Sequence, residues 1–151
     1  MSFDVPFDLG PFTVDYSGRI APRKDNAADG FIFAWRGCPV HARLEERAPG
    51  SSCLTLEAAL GRIPSTGVST DMDRRSRSFA ALRVLPRSLP ARWRLRVLPD
   101  HRLRLEAERE VGLPITIHAL VTDLTCFLLD LAPFLDLLEE AGVPRGPVWA
   151  A

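Results

Sequence analysis

From residue 31 to residue 62 apolar side chains fall on every second position. Phe31, Phe33 and Trp35 come first; Val40, Ala42 and Leu44 then alternate with His41, Arg43 and Glu45, and Leu54, Leu56, Ala58 and Leu60 follow. A period of two puts all of these on one face of an extended chain. Segments 31–47 and 52–62 therefore read as the arms of a β-hairpin, joined by the turn-forming run Ala48-Pro-Gly-Ser-Ser52. Gly37-Cys38-Pro39 interrupts the first arm. Proline cannot donate to a ladder, so a bulge or an edge position is expected there. The pattern returns where Trp93, Leu95 and Val97 alternate with arginines, and Leu103, Leu105 and Ala107 alternate with Arg102, Arg104, Glu106 and Glu108. This second hairpin has one apolar and one charged face, as a half-buried antiparallel sheet requires.

Between and after the hairpins the period lengthens. Residues 72–85 read as a helix capped by Thr70 or Asp71, with Met72, Phe79, Leu82 and Leu85 or Val84 inward and Arg74, Arg75, Arg77 and Arg83 outward. Pro86 and Pro90 are its expected stop, and a strand over 79–85 is the alternative. The stretch from Pro114 to Glu140 is apolar almost all the way round a helix. Ile117, Leu120, Val121, Leu124, Phe127, Leu128, Leu131 and Leu135 make one stripe, and Ile115, Ala119, Cys126, Leu129 and Leu137 widen it to a second face. Pro114 falls in its expected first turn, Pro133 inside it should kink it near Leu129, and Gly142 supplies its stop.

Before residue 31 the signals are weaker. Residues 1–11 read as irregular, and Phe12–Tyr16, Ser17-Gly18 and Arg19–Ala21 read as a strand and turn. Pro22 to Gly30 reads as a loop, and 142–151 as a loose tail. The expectation is one domain over 1–151: a lead-in over 1–30, then a core over 31–141. It is of the α+β class, an antiparallel β-sheet of two hairpins with a middle helix and a long C-terminal helix packed on it.

Composition narrows the function. A hydrophobic content of 46% and a charged content of 25% are ordinary for a globular chain, so disorder is not expected. The net charge is zero, which argues against a dedicated nucleic-acid or membrane-surface binder. Asp123, Asp130, Pro133 and Asp136 cut the apolar run of the last helix well below the roughly 18 residues that a membrane span needs. Cys38, Cys53 and Cys126 are an odd set without C-x-x-C spacing, and the first ten residues hold no basic residue. A reduced, cytoplasmic protein is expected.

Catalytic signatures are missing. His41, His101 and His118 fall on a strand, a turn and a helix, with no second ligand at a short metal spacing. Cys38 and His41 are three apart, which on a strand points them to opposite faces unless a bulge intervenes. No phosphate-cradling or nucleophile-elbow glycine motif is present. No catalytic residue, metal site or cofactor is assigned. The most specific polar feature is the row Arg92, Arg94, Arg96, Arg102 and Arg104. It reads either as a solvated face balanced by Glu106 and Glu108 or as a docking surface for an acidic protein partner. Nucleic acid ranks third, because aromatic residues for base stacking are scarce there. The second face of the last helix, with Cys126, Leu129 and Leu137, is the expected interface of a homodimer. Phe3, Phe7 and Phe12 folding back over it is the alternative.

Three stretches over 31–141 resemble the class I type III secretion chaperone fold and the YbjN-like family. They are Leu60-Gly-Arg-Ile-Pro64 with the arginine-bearing helix after it, the hairpin Trp93–Val97 with Arg102–Leu105, and Ala132-Pro-Phe-Leu-Asp-Leu-Leu138 in the closing helix. The resemblance implies a small, homodimeric α+β domain without enzymatic activity. It also implies a chaperone-like module that binds an extended segment of a partner protein across its sheet. The other class of function is a small-ligand binder or enzyme whose site is assembled only in the tertiary structure.

Overall fold

A computed structural model describes residues 4–23, 30–64 and 69–144. Eleven elements follow in the order β1 (Phe7–Leu9), β2 (Phe12–Val14), β3 (Arg19–Pro22), β4 (Phe31–Trp35), β5 (Cys38–Ala48), β6 (Ser51–Arg62), α1 (Ser69–Ser88), β7 (Trp93–Val97), β8 (Arg102–Gly112), β9 (Ile115–Thr116) and α2 (Ile117–Glu140). The class is α+β, with two antiparallel sheets and two helices.

The larger sheet has the order β4-β5-β6-β8-β7. Its period-two pattern works as the sequence implies. Val40, Ala42, Leu44, Leu54, Leu56, Ala58, Leu60, Leu103, Leu105 and Ala107 are buried on one face. Against that face α2 packs Leu120, Phe127, Leu131, Phe134, Leu135 and Leu138. Trp93 of β7 meets Phe127 and Phe134 with centroids 5.0 and 6.1 Å apart.

The segment expected as one arm over 31–47 is itself a hairpin. Arg36 and Gly37, with φ of 49° and 77°, form a two-residue turn that pairs Trp35 with Cys38. Two positive φ values match the primed turns whose twist suits adjoining strands. Pro39 lies in β5, beside the first β5–β6 pair, Val40 with Ala58. Just beyond, β6 bulges between Ala59 and Gly61. Gly61 has φ of 143°, and a Cβ there would meet the Pro144 carbonyl oxygen at 2.5 Å, so only glycine fits.

Of the smaller sheet, β1-β2-β3-β9, the sequence reading has the strand and turn that become β2 and β3 but not β1, β9 or their joining into a second sheet. The lead-in expected to be irregular contains β1, paired to β2. Ile115 and Thr116 pair with β3 and do not belong to the helix. Pro114 consequently precedes a strand, and Thr116 is the N-cap, its Oγ1 accepting from the Ala119 N–H at 3.1 Å. Phe12, Val14, Ile20 and Ile115 join the sheet to the common core, with Phe12 edge-on to Phe31. At the far end of α2, Gly142 (φ 77°) donates to Glu139 and Val143 donates to Leu138, so Gly142 does end the helix. The backbone stays helical through Pro133.

Helix α1 departs most from expectation. It begins ahead of Thr70 and Asp71, whose side chains lie outside the described residues, and it runs through Pro86 to Ser88. Met72, Phe79 and Val84 are exposed, while Leu85 and Ser78 are buried, with Leu82 partly so. The reason is close approach. Ser78 Oγ donates to the Ala141 carbonyl at 3.1 Å, so a small polar residue, not a bulky one, marks the contact line with α2. Phe3, the expected loop residues 24–29 and the tail 145–151 lie outside the described residues.

Candidate functional site

With α2 on one face of the five-stranded sheet, the opposite face is left without a covering helix among the described residues. The odd positions of β5 and β6 and the even positions of β7 and β8 point there. Across the sheet the rows run Ile32, His41, Glu57, Glu106, Arg94 and, one step along, Ala34, Pro39, then Ala59, Arg104, Arg96. A depression of about 730 Å³ is sunk into this face around the β6 bulge. Ile32, Pro39 and Ala59 make its apolar ground. His41, Glu57, Arg104, Arg102, Arg62 and Asp100 make its polar border.

The border is a network. Glu57 lies 3.6 Å from Arg43 Nη2 and 3.7 Å from Arg104 Nη1. Arg62 Nε donates to the Asp100 carbonyl at 2.9 Å. The Asp100 carboxylate accepts from both the backbone N–H and the Nε of Arg102. The backbone N–H of Arg102 is the largest cause holding the Asp100 carboxyl below its ordinary value, with the Arg102 and Arg62 charges adding to it. Three arginines thus border the depression against two carboxylates, leaving it positive.

The five arginines of the expected docking row all project from this face, on β7, on β8 and just ahead of β7. Arg92 pairs with Glu110 at 2.9 Å and Arg96 with Glu106 at 2.8 Å, while Arg102 pairs with Asp100 and Arg104 with Glu57. Arg94 makes no ion pair among the described residues. The row is therefore largely neutralised within the sheet, with Arg94 its one unpaired member among the described residues, and the positive border of the depression comes from Arg62 together with Arg102 and Arg104. Sequence reasoning missed Ile32, Glu57, Arg62 and Asp100. They come from two strands, β4 and β6, and the β7–β8 turn, and the only local signals were Gly61 at the bulge and Pro39 on the neighbouring strand.

The remaining candidates stay apart. Cys38 is buried in the core face and His41 lies on the outer face, so the two do not meet. His101 sits at φ 66° in the β7–β8 turn, and His118 is exposed at the start of α2. No three His, Cys, Asp or Glu side chains converge as metal ligands would among the described residues. On α2, Leu129 is 65% exposed, Leu137 47% and Val121 53%, and Cys126 is exposed beside them. Phe12 is buried against Phe31, away from these residues, and Phe7 remains exposed. No helix is long and apolar enough to cross a membrane among the described residues. No protein-family model, curated protein or solved structure matches this chain.

Proposed function

We infer that this protein is a non-enzymatic, chaperone-like interaction module of the cytoplasm that holds an extended, acidic segment of a partner protein. The observation that carries the reading is the open sheet face with its depression, apolar at Ile32, Pro39 and Ala59 and positive at Arg62, Arg102 and Arg104. An extended chain laid there sets alternate side chains on the apolar ground and meets the arginines with its carboxylates. The resemblance to secretion-chaperone-like proteins agrees with this mode of binding. The test is affinity capture from the source cell with the wild type and with Arg94→Glu/Arg104→Glu. The partner caught by the wild type is lost with the variant, whose circular dichroism stays that of the wild type. Equal capture by both would refute the reading.

The module works as a homodimer. Leu129, Leu137 and Val121 form an exposed apolar ridge with Cys126 along α2. A two-fold contact covers such a ridge with its own copy.

A further inference from the structure

A second cavity, of about 230 Å³, opens on the other side of the five-stranded sheet, where β7 and β8 meet the middle of α2. Its floor is apolar and belongs to the core face: Leu56 and Ala107, both buried. Trp93 and Phe127 line it as well, their planes tilted by 43°. Its rim is acidic. Asp123 and Asp130 stand about two turns apart on the same flank of α2. Arg109 Nη2 lies 3.0 Å from Asp123, and Glu108 at the mouth lies 3.4 Å from Arg47, so both of those carboxylates are balanced. Asp130 is exposed and has no ion-pair partner among the described residues, so the rim keeps one negative charge beyond its own cations.

We propose that this cavity binds a primary ammonium group carried on a short apolar stem. The stem lies on Leu56 and Ala107 against the packed pair of Trp93 and Phe127 rings, and the ammonium sits at the Asp130 carboxylate. Each part answers to one property of the ligand. An aliphatic stem replaces water on an apolar floor. Aromatic rings attract a nearby cation, more so when it is partly desolvated. The surplus carboxylate fixes the sign of the charge and repels an acid of the same length. Size sets the scale: the cavity falls below the roughly 300 Å³ at which drug-sized ligand pockets begin. A water takes about 30 Å³ of liquid, so a lysine-sized stem fits with a few waters beside it. The site is independent of the open-face reading, because it lies on the opposite side of the sheet.

The same chemistry comes from two sources, a free small amine or a lysine side chain of a partner protein. The test is a titration of the full chain with n-butylammonium, followed by NMR at the Trp93 indole N–H, with sodium butyrate and n-butanol as length-matched controls. Saturable shifts are expected with n-butylammonium and none with butyrate. Asp130→Asn should weaken binding about tenfold, the scale of a lost close charge pair. Asp73→Asn, an equal charge change on the exposed side of α1, should leave it unaltered. No saturable shift, equal binding of n-butanol, or the same affinity in Asp130→Asn and wild type would each overturn the proposal. Nα-acetyl-lysine amide identifies the source. Tighter binding than n-butylammonium supports a partner's lysine, and weaker binding supports a free amine.

Discussion

Arg96 stands directly across from Arg104 in the β7–β8 ladder, and the two guanidinium groups turn to different carboxylates. Arg96 Nε donates to Glu106 at 2.8 Å, and Arg104 Nη1 lies 3.7 Å from Glu57 on the neighbouring strand. Like charges face to face in a sheet repel. The repulsion is relieved because the charged face carries acids on both β6 and β8. Arg94, which the register sets across from Glu106, is left over because Arg96 occupies that carboxylate.

A double-mutant cycle separates these arginines. Between Arg96 and Glu106 it should return a coupling of about 0.5 kcal/mol in urea unfolding, within the range for exposed pairs. Raising the salt to about 1 M should shrink it, because the screening length drops to roughly 3 Å. The cycle between Arg94 and Glu106 should return no coupling. Equal couplings for the two pairs would mean that Glu106 is shared in solution.

Ser52 offers a test inside the core. It is 1% exposed on β6, and its Oγ has no hydrogen-bond partner among the described residues. A buried hydroxyl left unpaired carries a desolvation cost of about 1–3 kcal/mol. Ser52→Ala should therefore stabilise the fold by about 1 kcal/mol and raise the urea midpoint without changing the slope. A lower midpoint would show that the hydroxyl is bonded in solution.

Asp15 sets a pH dependence at the β2–β3 turn. Its Oδ1 accepts from the Ser17 Oγ at 2.7 Å, the Ser17 N–H at 2.8 Å and the Arg19 N–H at 2.9 Å. The Ser17 hydroxyl is the largest cause holding this carboxyl below its ordinary value of 3.8, followed by the Arg19 N–H. A folded-state value below the unfolded one stabilises the fold fully above the unfolded value, and the stabilisation drains away as pH falls through the folded one. The difference in thermal midpoint between wild type and Asp15→Asn should hold steady down to about pH 5 and shrink below about pH 4. A constant difference down to about pH 2 would remove the ionised carboxylate from the account.

Most of the large sheet was legible because its strands carry a period of two, broken at the β4–β5 turn and the β6 bulge, and a register error would turn Leu54 or Leu105 to water. The small sheet was legible only at β2 and β3. β1 is three residues and β9 only two, too short for alternation to show, and β9 pairs with a strand about a hundred residues earlier. The arginine face could be read, and with it Glu106 as a balancing acid for Arg96, but not its other partners. Glu110 and Glu57 reach Arg92 and Arg104 only through strand pairing. The depression was unreadable for the same reason, since its border comes from β5, β6, β8 and the β7–β8 turn. For α1 the error was physical: size was taken as the sign of burial, whereas the tight contact with α2 selects Ser78.

The proposed dimer rests on Leu129. It is 65% exposed at the centre of the outer face of α2, with Leu137 two turns further on. Burying a leucine side chain contributes roughly 1.5–3 kcal/mol. Val121, Leu129 and Leu137 on both copies together approach the cost of association, about 4–15 kcal/mol. Cys126 and Pro133 extend the same ridge, which an antiparallel pair of α2 helices would cover. Because Leu129 contributes nothing to the monomer core, Leu129→Glu should leave the thermal midpoint of the isolated subunit within a few degrees and weaken dimerisation at least tenfold. Sedimentation equilibrium of wild type and variant over a wide concentration range measures both states. A wild type that stays monomeric at the highest concentration would dismiss the dimer. A variant that unfolds would place Leu129 in the core of the subunit, against the exposure seen here.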